Sequence, residues 1–332
     1  MKTIHVGLVA DPAAPTKIAR RISNLKSPSA EDHDGWDIEV VSEPFTTGSE
    51  DIDTAVARLG EHAREHEWDL VVGLTELPLR GDDGKYLLFE IDQQGRTAML
   101  SLPALGGLRM HARTRHAVRA LVNGMANPNS ADEHGVHLPR VTARWRLLLG
   151  MVLANRPWLL VPGLKSALVA ALATGAIATI NSTVWLLAGS LSWWRLAIAT
   201  VASVGLVVAW IVIDGELWDR PDNDSAQARE RSRLYNSSTL LTLTIGVSIC
   251  YLALYVVNLG WALFILDPAV MSGELPASLG YGDLFVLSWF VASAATIGGA
   301  LGAGLESDEA IRAAAYSKRE EERRERLARE KG

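Results

Sequence analysis

The sequence predicts an α/β domain followed by an all-α bundle of four transmembrane helices. Before residue 125, short apolar stretches alternate with amphipathic helical ones, which is typical of a layered and largely parallel sheet. After residue 156, four long stretches contain no Asp, Glu, Lys or Arg, and about 20 mostly apolar residues are enough for a helix to cross a bilayer. Charged residues are dense only outside these stretches, so the two halves of the chain face different solvents.

The first half begins with a βαβαβ pattern. Three stretches read as strands, and two stretches with apolar residues at helical spacing read as helices. In chain order they are strand Ile4–Ala10, helix Pro15–Leu25, strand Trp36–Val41, helix Asp51–Glu67 and strand Trp68–Thr75.

A hairpin and a closing helix complete the predicted domain, which we place at residues 1–125. The hairpin strands Tyr86–Ile91 and Thr97–Leu102 are separated by the turn residues Asp92–Gly95. A helix from about Leu108 to Asn123 follows. The polar residues 126–142 are then expected to form a linker.

Polar side chains at the predicted strand ends are the candidate ligand-binding residues. Ligands of open α/β sheets bind beyond the carboxyl ends of the strands, which here points to Asp11, Glu43, Thr75 and Glu76, with Arg80 nearby. The alternative is that Asp11 and Glu43 are turn or cap residues, because each of them precedes a proline.

No catalytic, cofactor or metal motif is found, so we expect no catalytic residue and no cofactor. A Gly-x-Gly-x-x-Gly loop after the first strand and a P-loop are both missing. The lone Cys250 lies in an apolar run, which excludes disulfides and cysteine-based metal sites. His111 and His116 share a helix but lie about 140° apart around its axis, outside the i, i+4 geometry of zinc ligands. The net charge of -6, with both signs mixed, argues against nucleic-acid binding.

Four charge-free stretches define a predicted four-helix transmembrane domain at residues 157–305. They are Ser166–Trp194, Leu196–Ile213, Leu234–Leu266 and Leu284–Leu305. Basic residues precede the first stretch and fill the second connection, whereas the other two connections hold only Arg195. Because short cytoplasmic loops carry the excess of Lys and Arg, we expect a multi-pass protein of the plasma (inner) membrane with both termini cytoplasmic. The charged residues 306–332 are expected to form a solvated helical tail.

Residues 143–156 are too short to cross a bilayer and are predicted to form an interfacial helix. Arg144, Trp145 and Arg146, together with Trp158, are the residues expected to contact the membrane surface. The alternative is that this helix packs against the soluble domain.

Small residues at four-residue spacing are the candidate helix-packing positions. They include Ala171 and Gly175 in the first stretch, and Ala294, Gly298 and Gly302 in the last one. Such rows let helix backbones approach closely in lipid. These small residues predict one of two arrangements, either packing of helices within one bundle or association into a homo-oligomer. The C-terminal tail is a second candidate surface for a homo-oligomer.

Three segments carry a resemblance to a known family: Val6–Pro12 (VGLVADP), Trp68–Pro78 (WDLVVGLTELP) and Ser101–Gly106 (SLPALG). With the spans after residue 160, they resemble bacterial four-span membrane proteins of unassigned role. Some members of that family carry a methylene-tetrahydrofolate dehydrogenase label, but the Pro-Gly-Gly-Val-Gly-Pro-type loop of those enzymes is missing here.

The order of elements in residues 1–124 also resembles the N-terminal half of archaemetzincin-type zinc proteases. The zinc motif of those proteases, His-Glu-x-x-His-x-x-Gly-x-x-His, is absent, so this resemblance implies a fold without the catalysis.

The function predicted from the sequence is that of a membrane protein whose cytoplasmic α/β domain is a ligand-binding, partner-binding or regulatory module. One alternative is a membrane-proximal enzyme that uses the strand ends near Thr75 and Glu76. Another is a passive pore or a transporter component built from the spans.

Overall fold

A computed structural model describes residues 3–12, 14–25, 35–46, 52–81, 85–92, 96–107, 109–126, 135–137, 140–155, 157–221, 225–269, 273 and 280–302. These residues divide into two compact units. The first contains the described residues up to Asn155 together with Arg220–Ser238, and the second contains Arg156–Asp219 and those from Thr239 to Gly302.

The first unit is built on a mixed sheet of seven strands. Strands β1, β2, β3 and β6 are parallel, whereas β5 runs antiparallel to β4, β6 and β7. The order is β2-β1-β3-β6-β5-β4, with β7 also paired to β5. The strands are β1 (Ile4–Ala10), β2 (Trp36–Ser42), β3 (Leu70–Thr75), β4 (Leu79–Arg80), β5 (Tyr86–Ile91), β6 (Thr97–Ser101) and β7 (Gly135–His137).

Helices cover both faces of this sheet. Helices α1 (Ala14–Ile22) and α3 (Met110–Ala126) pack with Val72 of β3 in one apolar cluster. Helix α2 (Ile52–Glu65) packs with the neighbouring Val71 in another. Successive strand residues point to opposite faces, so every residue of β3 is buried, which explains why this strand is a continuous apolar run.

The predicted α/β class of the N-terminal domain and its β5–β6 hairpin are confirmed. Two strands were not predicted. Strand β4 has two residues, and β7 has three and lies within the predicted linker 126–142. A strand of two or three residues is too short to show the alternation of apolar and polar side chains, so the sequence contains no pattern that would predict it.

The remaining helices range from 4 to 40 residues. They are α4 (Arg140–Ala154), α5 (Leu160–Gly163), α6 (Lys165–Thr179), α7 (Ser182–Ser190), α8 (Trp193–Asp214), α9 (Ala226–Ile265) and α10 (Tyr281–Gly302). Among the described residues, three helices are long and apolar enough to cross a membrane, namely α8, α9 and α10.

The first predicted span, Ser166–Trp194, is not one straight helix. Helices α6 and α7 meet at an angle of 90°. The side chain of Asn181 accepts a hydrogen bond from the Thr183 N–H and caps α7 at this bend. Helix α6 alone has 15 residues, or about 22 Å, which is shorter than a hydrocarbon core. Among the described residues there are therefore three candidate membrane spans, or four if α6 and α7 together form one broken span.

Small residues bring α6 and α10 close together, but not all of those predicted. Ala171 and Gly175 are buried on α6. A side chain at Gly299 would lie 2.6 Å from Ala171 Cβ, so Gly299 makes the close contact on α10. Gly298 and Ala294 are exposed and lie about 100° and 140° around the helix axis from Gly299, and the surroundings of Gly302 lie outside the described residues. Contact of Ala294 and Gly298 with a second copy stays a prediction.

Candidate functional site

The polar residues predicted at the strand ends form a closed network around Asp11. The Asp11 carboxyl accepts hydrogen bonds from the Thr75 hydroxyl at 2.7 Å, the Thr46 hydroxyl at 3.0 Å and the Phe45 N–H at 3.4 Å. The Thr75 oxygen also accepts from the Leu77 N–H at 3.1 Å. Asp11 and Thr75 both have 0% of their surface exposed.

This network ties strand ends together and leaves no open surface at its polar atoms. The main chain of Asp11 continues the ladder to β3 through its N–H, which donates to the Leu74 carbonyl at 3.0 Å. Because a buried carboxyl group is costly unless it accepts hydrogen bonds, the three donors account for its position without a ligand. The geometry therefore agrees with a structural role for Asp11, and a binding or catalytic role of Thr75 and Glu76 stays a prediction.

The other two predicted ligand residues are also buried, but Arg80 belongs to a different site. Glu76 has 4% of its surface exposed and Arg80 has 8%. The Arg80 guanidinium lies over the Tyr86 ring, 5.6 Å from its centroid, and donates to a Glu230 oxygen at 3.1 Å. The structure thus separates Arg80 from the Asp11–Thr75 pair and joins it to a residue 150 positions away.

The first turns of α9 are part of the α/β unit. Leu234 and Tyr235 are buried with Leu77, Tyr86 and Leu147 in one apolar cluster. Helix α9 has 40 residues and is therefore about 60 Å long, twice the thickness of a hydrocarbon core. Its charge-free part begins only at Leu234, so Glu230 and the arginines around it lie ahead of the apolar segment.

Helix α4 packs on the sheet domain through one face, as the alternative to an interfacial helix predicted. Leu147 and Met151 are fully buried, and Gly150 lies directly against the backbone of Pro103 in the short 3-10 helix Pro103–Leu105. Trp145 and Leu149 remain on the other side, with 67% and 52% of their surfaces exposed. Contact of Trp145 with a membrane surface therefore stays a prediction.

The remaining predicted surface residues differ in exposure. Trp158 is 49% exposed and Arg144 is also exposed, whereas Arg146 is half-buried.

An arginine cleft lies between β5, α4 and the first turns of α9. Its volume is about 370 Å³. The lining residues are Tyr86, Arg144, Leu148, Ala226, Arg229, Glu230, Arg233, Leu234 and Ser237. Three of them are arginines and one is a glutamate, so the cleft carries a net positive charge. We refer to this feature as the arginine cleft.

Glu230 connects two arginines on one side of the arginine cleft. Arg144 donates to Glu230 Oε1 at 2.6 Å, and Arg80 donates to Oε2 at 3.1 Å. The hydrogen bond from Arg144 holds the pKa of the Glu230 carboxyl below its ordinary value, partial burial opposes this effect, and the charge of Arg80 adds to it. The same hydrogen bond raises the pKa of Arg144. Glu230 and Arg144 are therefore both charged at neutral pH.

We expect Glu230 to make stability depend on pH in the acid range. Because its pKa is lowered on folding, its contribution is present above the pKa of an unfolded glutamate and is lost as the pH falls through the lower folded value. Glu230→Gln should lower the thermal unfolding temperature of the purified protein at pH 7, and the difference from wild type should shrink below about pH 4. Glu61→Gln, at an exposed position of α2, is the matched control and should show no such trend. A constant difference between wild type and Glu230→Gln at all pH values would contradict the assignment.

Sequence reasoning missed most of the arginine cleft, although part of its signal was visible. Arg229 and Arg233 are among the basic residues of the second connection between the predicted spans, and there they indicated only the orientation in the membrane. Tyr86 was placed only in a hairpin strand. Glu230 gave no signal at all, because its partners Arg80 and Arg144 lie far from it in the sequence.

Comparisons with known protein families, curated proteins and solved structures find no match to this chain. Its class is therefore defined by its own features: an N-terminal α/β domain, and a C-terminal helical region with three helices, among the described residues, long and apolar enough to cross a membrane.

Proposed function

We propose that this chain is a multi-pass membrane protein whose cytoplasmic α/β domain is a non-catalytic binding module for an anionic, phosphate-bearing ligand. The single observation that carries the proposal is the arginine cleft, in which three arginines surround an open volume beside one glutamate.

The exposed apolar side chains of the helical unit support the membrane assignment. Large hydrophobic residues cover the surfaces of α8 and α9, with Val201 at 73% and Phe264 at 83% exposure. Apolar surfaces this extensive are rare on soluble monomers and are expected where helices face lipid. With α6 and α7 as one broken span, four crossings would put both termini on the same side of the membrane, and the distribution of basic residues favours the cytoplasmic side.

Charge and position favour phosphate as the recognised group. Arginine offers several N–H donors in a planar fork that matches phosphate oxygens. Arg233 is exposed and immediately precedes the charge-free stretch from Leu234. A basic residue directly before a membrane span is expected at the depth of the lipid headgroups. The Glu230 carboxylate already bridges Arg144 and Arg80, so an anion that enters the arginine cleft competes with Glu230 for Arg144.

A binding measurement with two arms tests the proposal and identifies the source of the phosphate. Full-length protein in nanodiscs of phosphatidylcholine is titrated with inorganic pyrophosphate by calorimetry. In the second arm, the same protein in nanodiscs that contain phosphatidylglycerol is examined for retained anionic lipid by native mass spectrometry. We expect binding in one arm, weakened about tenfold by Arg233→Gln, because a charge-assisted hydrogen bond contributes about 1.5–3 kcal/mol. Binding should also weaken as the salt concentration rises.

Arg115→Gln is the control, because Arg115 is an exposed arginine of α3 far along the chain from the arginine cleft. It should leave binding unchanged. Absence of binding in both arms, or equal effects of Arg233→Gln and Arg115→Gln, would contradict the proposal.

A further inference from the structure

Two histidines and a glutamate lie on one face at the end of α2. His62 and Glu65 belong to the last turn of the helix, and His66 follows directly. One ligand atom from each of the three residues lies within 4.8 Å of the others. The two histidines are four residues apart, which is the spacing that places two imidazoles on one side of a helix for zinc.

The hydrogen bonds of both imidazoles leave one nitrogen of each available as a metal ligand. His66 Nδ1 lies 3.1 Å from the His62 carbonyl, which can only accept, so the His66 lone pair is on Nε2. His62 Nε2 lies 3.2 Å from a Glu43 oxygen, so this nitrogen donates to the carboxylate and the His62 lone pair is on Nδ1. Metal-binding histidines almost always donate their second N–H to a carboxylate or a carbonyl in this way.

The Nδ1 atom of His62 is the observation that points to an ion. It is shielded from solvent, and within the described part of the chain it has no hydrogen-bond partner. The nearest charged oxygen is that of Glu65, at 3.7 Å. Two ligands of a tetrahedral zinc ion stand about 3.4 Å apart, since each lies about 2.0–2.2 Å from the metal. A cation between His62 Nδ1 and Glu65 therefore requires only small side-chain adjustments.

The surroundings favour a cation and hold one of the ligands in place. The C-terminal end of a helix carries a partial negative charge, and Glu65 and Glu43 add two carboxylates. The His66 ring stacks on Trp68 with a centroid distance of 4.5 Å and an angle of 21°. This contact limits rotation of the His66 side chain.

We infer that His62 Nδ1, Glu65 and His66 Nε2 form a binding site for Zn²⁺ or a similar divalent transition metal, with Glu43 as the residue that orients His62. Water completes the coordination, because Glu65 and His66 are exposed to solvent. The site is separate from the arginine cleft, so it stands whether or not an anion binds there.

Zinc titration of the full-length protein tests this inference. Detergent-solubilised protein without an affinity tag is stripped with EDTA, dialysed and titrated with zinc chloride by calorimetry. We expect one equivalent of zinc per chain in the wild type and the loss of that equivalent in His66→Ala. Both His66 and Glu65 are exposed, so His66→Ala and Glu65→Gln should not disturb folding, which far-UV circular dichroism can check. Glu43→Gln should keep the site but weaken it by about 10- to 100-fold.

His116→Ala is the matched control, because His116 is an exposed histidine on α3 without a second histidine at i+4. It should retain the full equivalent. No binding by the wild type, or the same titration for His66→Ala and His116→Ala, would overturn the inference. Arg233→Gln should bind zinc normally, which separates failure of this site from failure of the arginine cleft.

Discussion

Asp11→Ala is expected to destabilise the α/β unit by about 3 kcal/mol or more. The substitution removes the acceptor for the Thr75 and Thr46 hydroxyls and the Phe45 N–H while these donors stay buried. Each buried polar group left without a partner costs about 1–3 kcal/mol. Denaturant unfolding of the purified protein, followed by far-UV circular dichroism, measures the change.

Two further variants separate the hydrogen-bond network from a general effect of charge. Asp11→Asn keeps one acceptor oxygen and places an amide opposite hydroxyl groups that can turn to accept, so we expect an intermediate loss. Asp37→Ala removes a carboxylate that is 70% exposed and pairs with His5, and should cost less than about 1 kcal/mol. If Asp11→Ala unfolded like wild type, the strand-end network would not be structural, and the ligand-binding prediction for Asp11 and Thr75 would gain weight.

Gly150→Ala is expected to displace α4 from the sheet domain. A Cβ at position 150 would overlap the Pro103 carbonyl oxygen and lie 2.7 Å from the Pro103 Cα, and backbone atoms cannot move aside as a flexible side chain can. Displacement uncovers Leu147 and Met151, which are fully buried, at about 1.5–3 kcal/mol each. We expect a total loss of about 3–5 kcal/mol and faster proteolysis between β7 and α4.

Gly124→Ala provides the control for this prediction. Gly124 lies within α3, and a Cβ there would meet nothing within 4 Å. Alanine is a better helix former than glycine, so Gly124→Ala should stabilise the protein by about 0.5–1 kcal/mol. Equal stability of Gly150→Ala and wild type would show that α4 does not pack on Pro103. The same displacement would remove Arg144 from the arginine cleft, so anion binding should fall together with stability.

The sequence predicted the parts of the fold that produce a repeating pattern. Helical spacing over α1 and α2 was readable because burial of one face of a helix imposes a period on its residues. Strand β1 was recognised from its short apolar run, although it is buried on both faces from Val6 to Ala10. Long stretches without Asp, Glu, Lys or Arg identified α8, α9 and α10 as candidate membrane spans. The bend between α6 and α7 was missed because Ile180 and Asn181 do not interrupt the apolar composition enough to mark a break.

The candidate sites were predicted less well, for a physical reason. The rule that ligands bind at the carboxyl ends of strands brought Asp11 and Thr75 together correctly, but whether those ends are open depends on Thr46 and Phe45. The zinc-type arrangement at His62 and His66 was present in the sequence as an i, i+4 pair and was overlooked in favour of His111 and His116. Its supporting residue Glu43 comes from another element and could not be assigned by spacing.

The sequence by itself therefore determined the two kinds of structure in this chain and their order, because hydrophobic period and charge-free length follow from the local environment of each segment. Only the tertiary structure decided that the first turns of α9 pack with Tyr86 and Leu147 in the α/β unit, and that Arg80 and Arg144 share Glu230. Contacts across 150 or 86 residues are made by side-chain shape and charge between elements, and no periodic pattern in the chain records them.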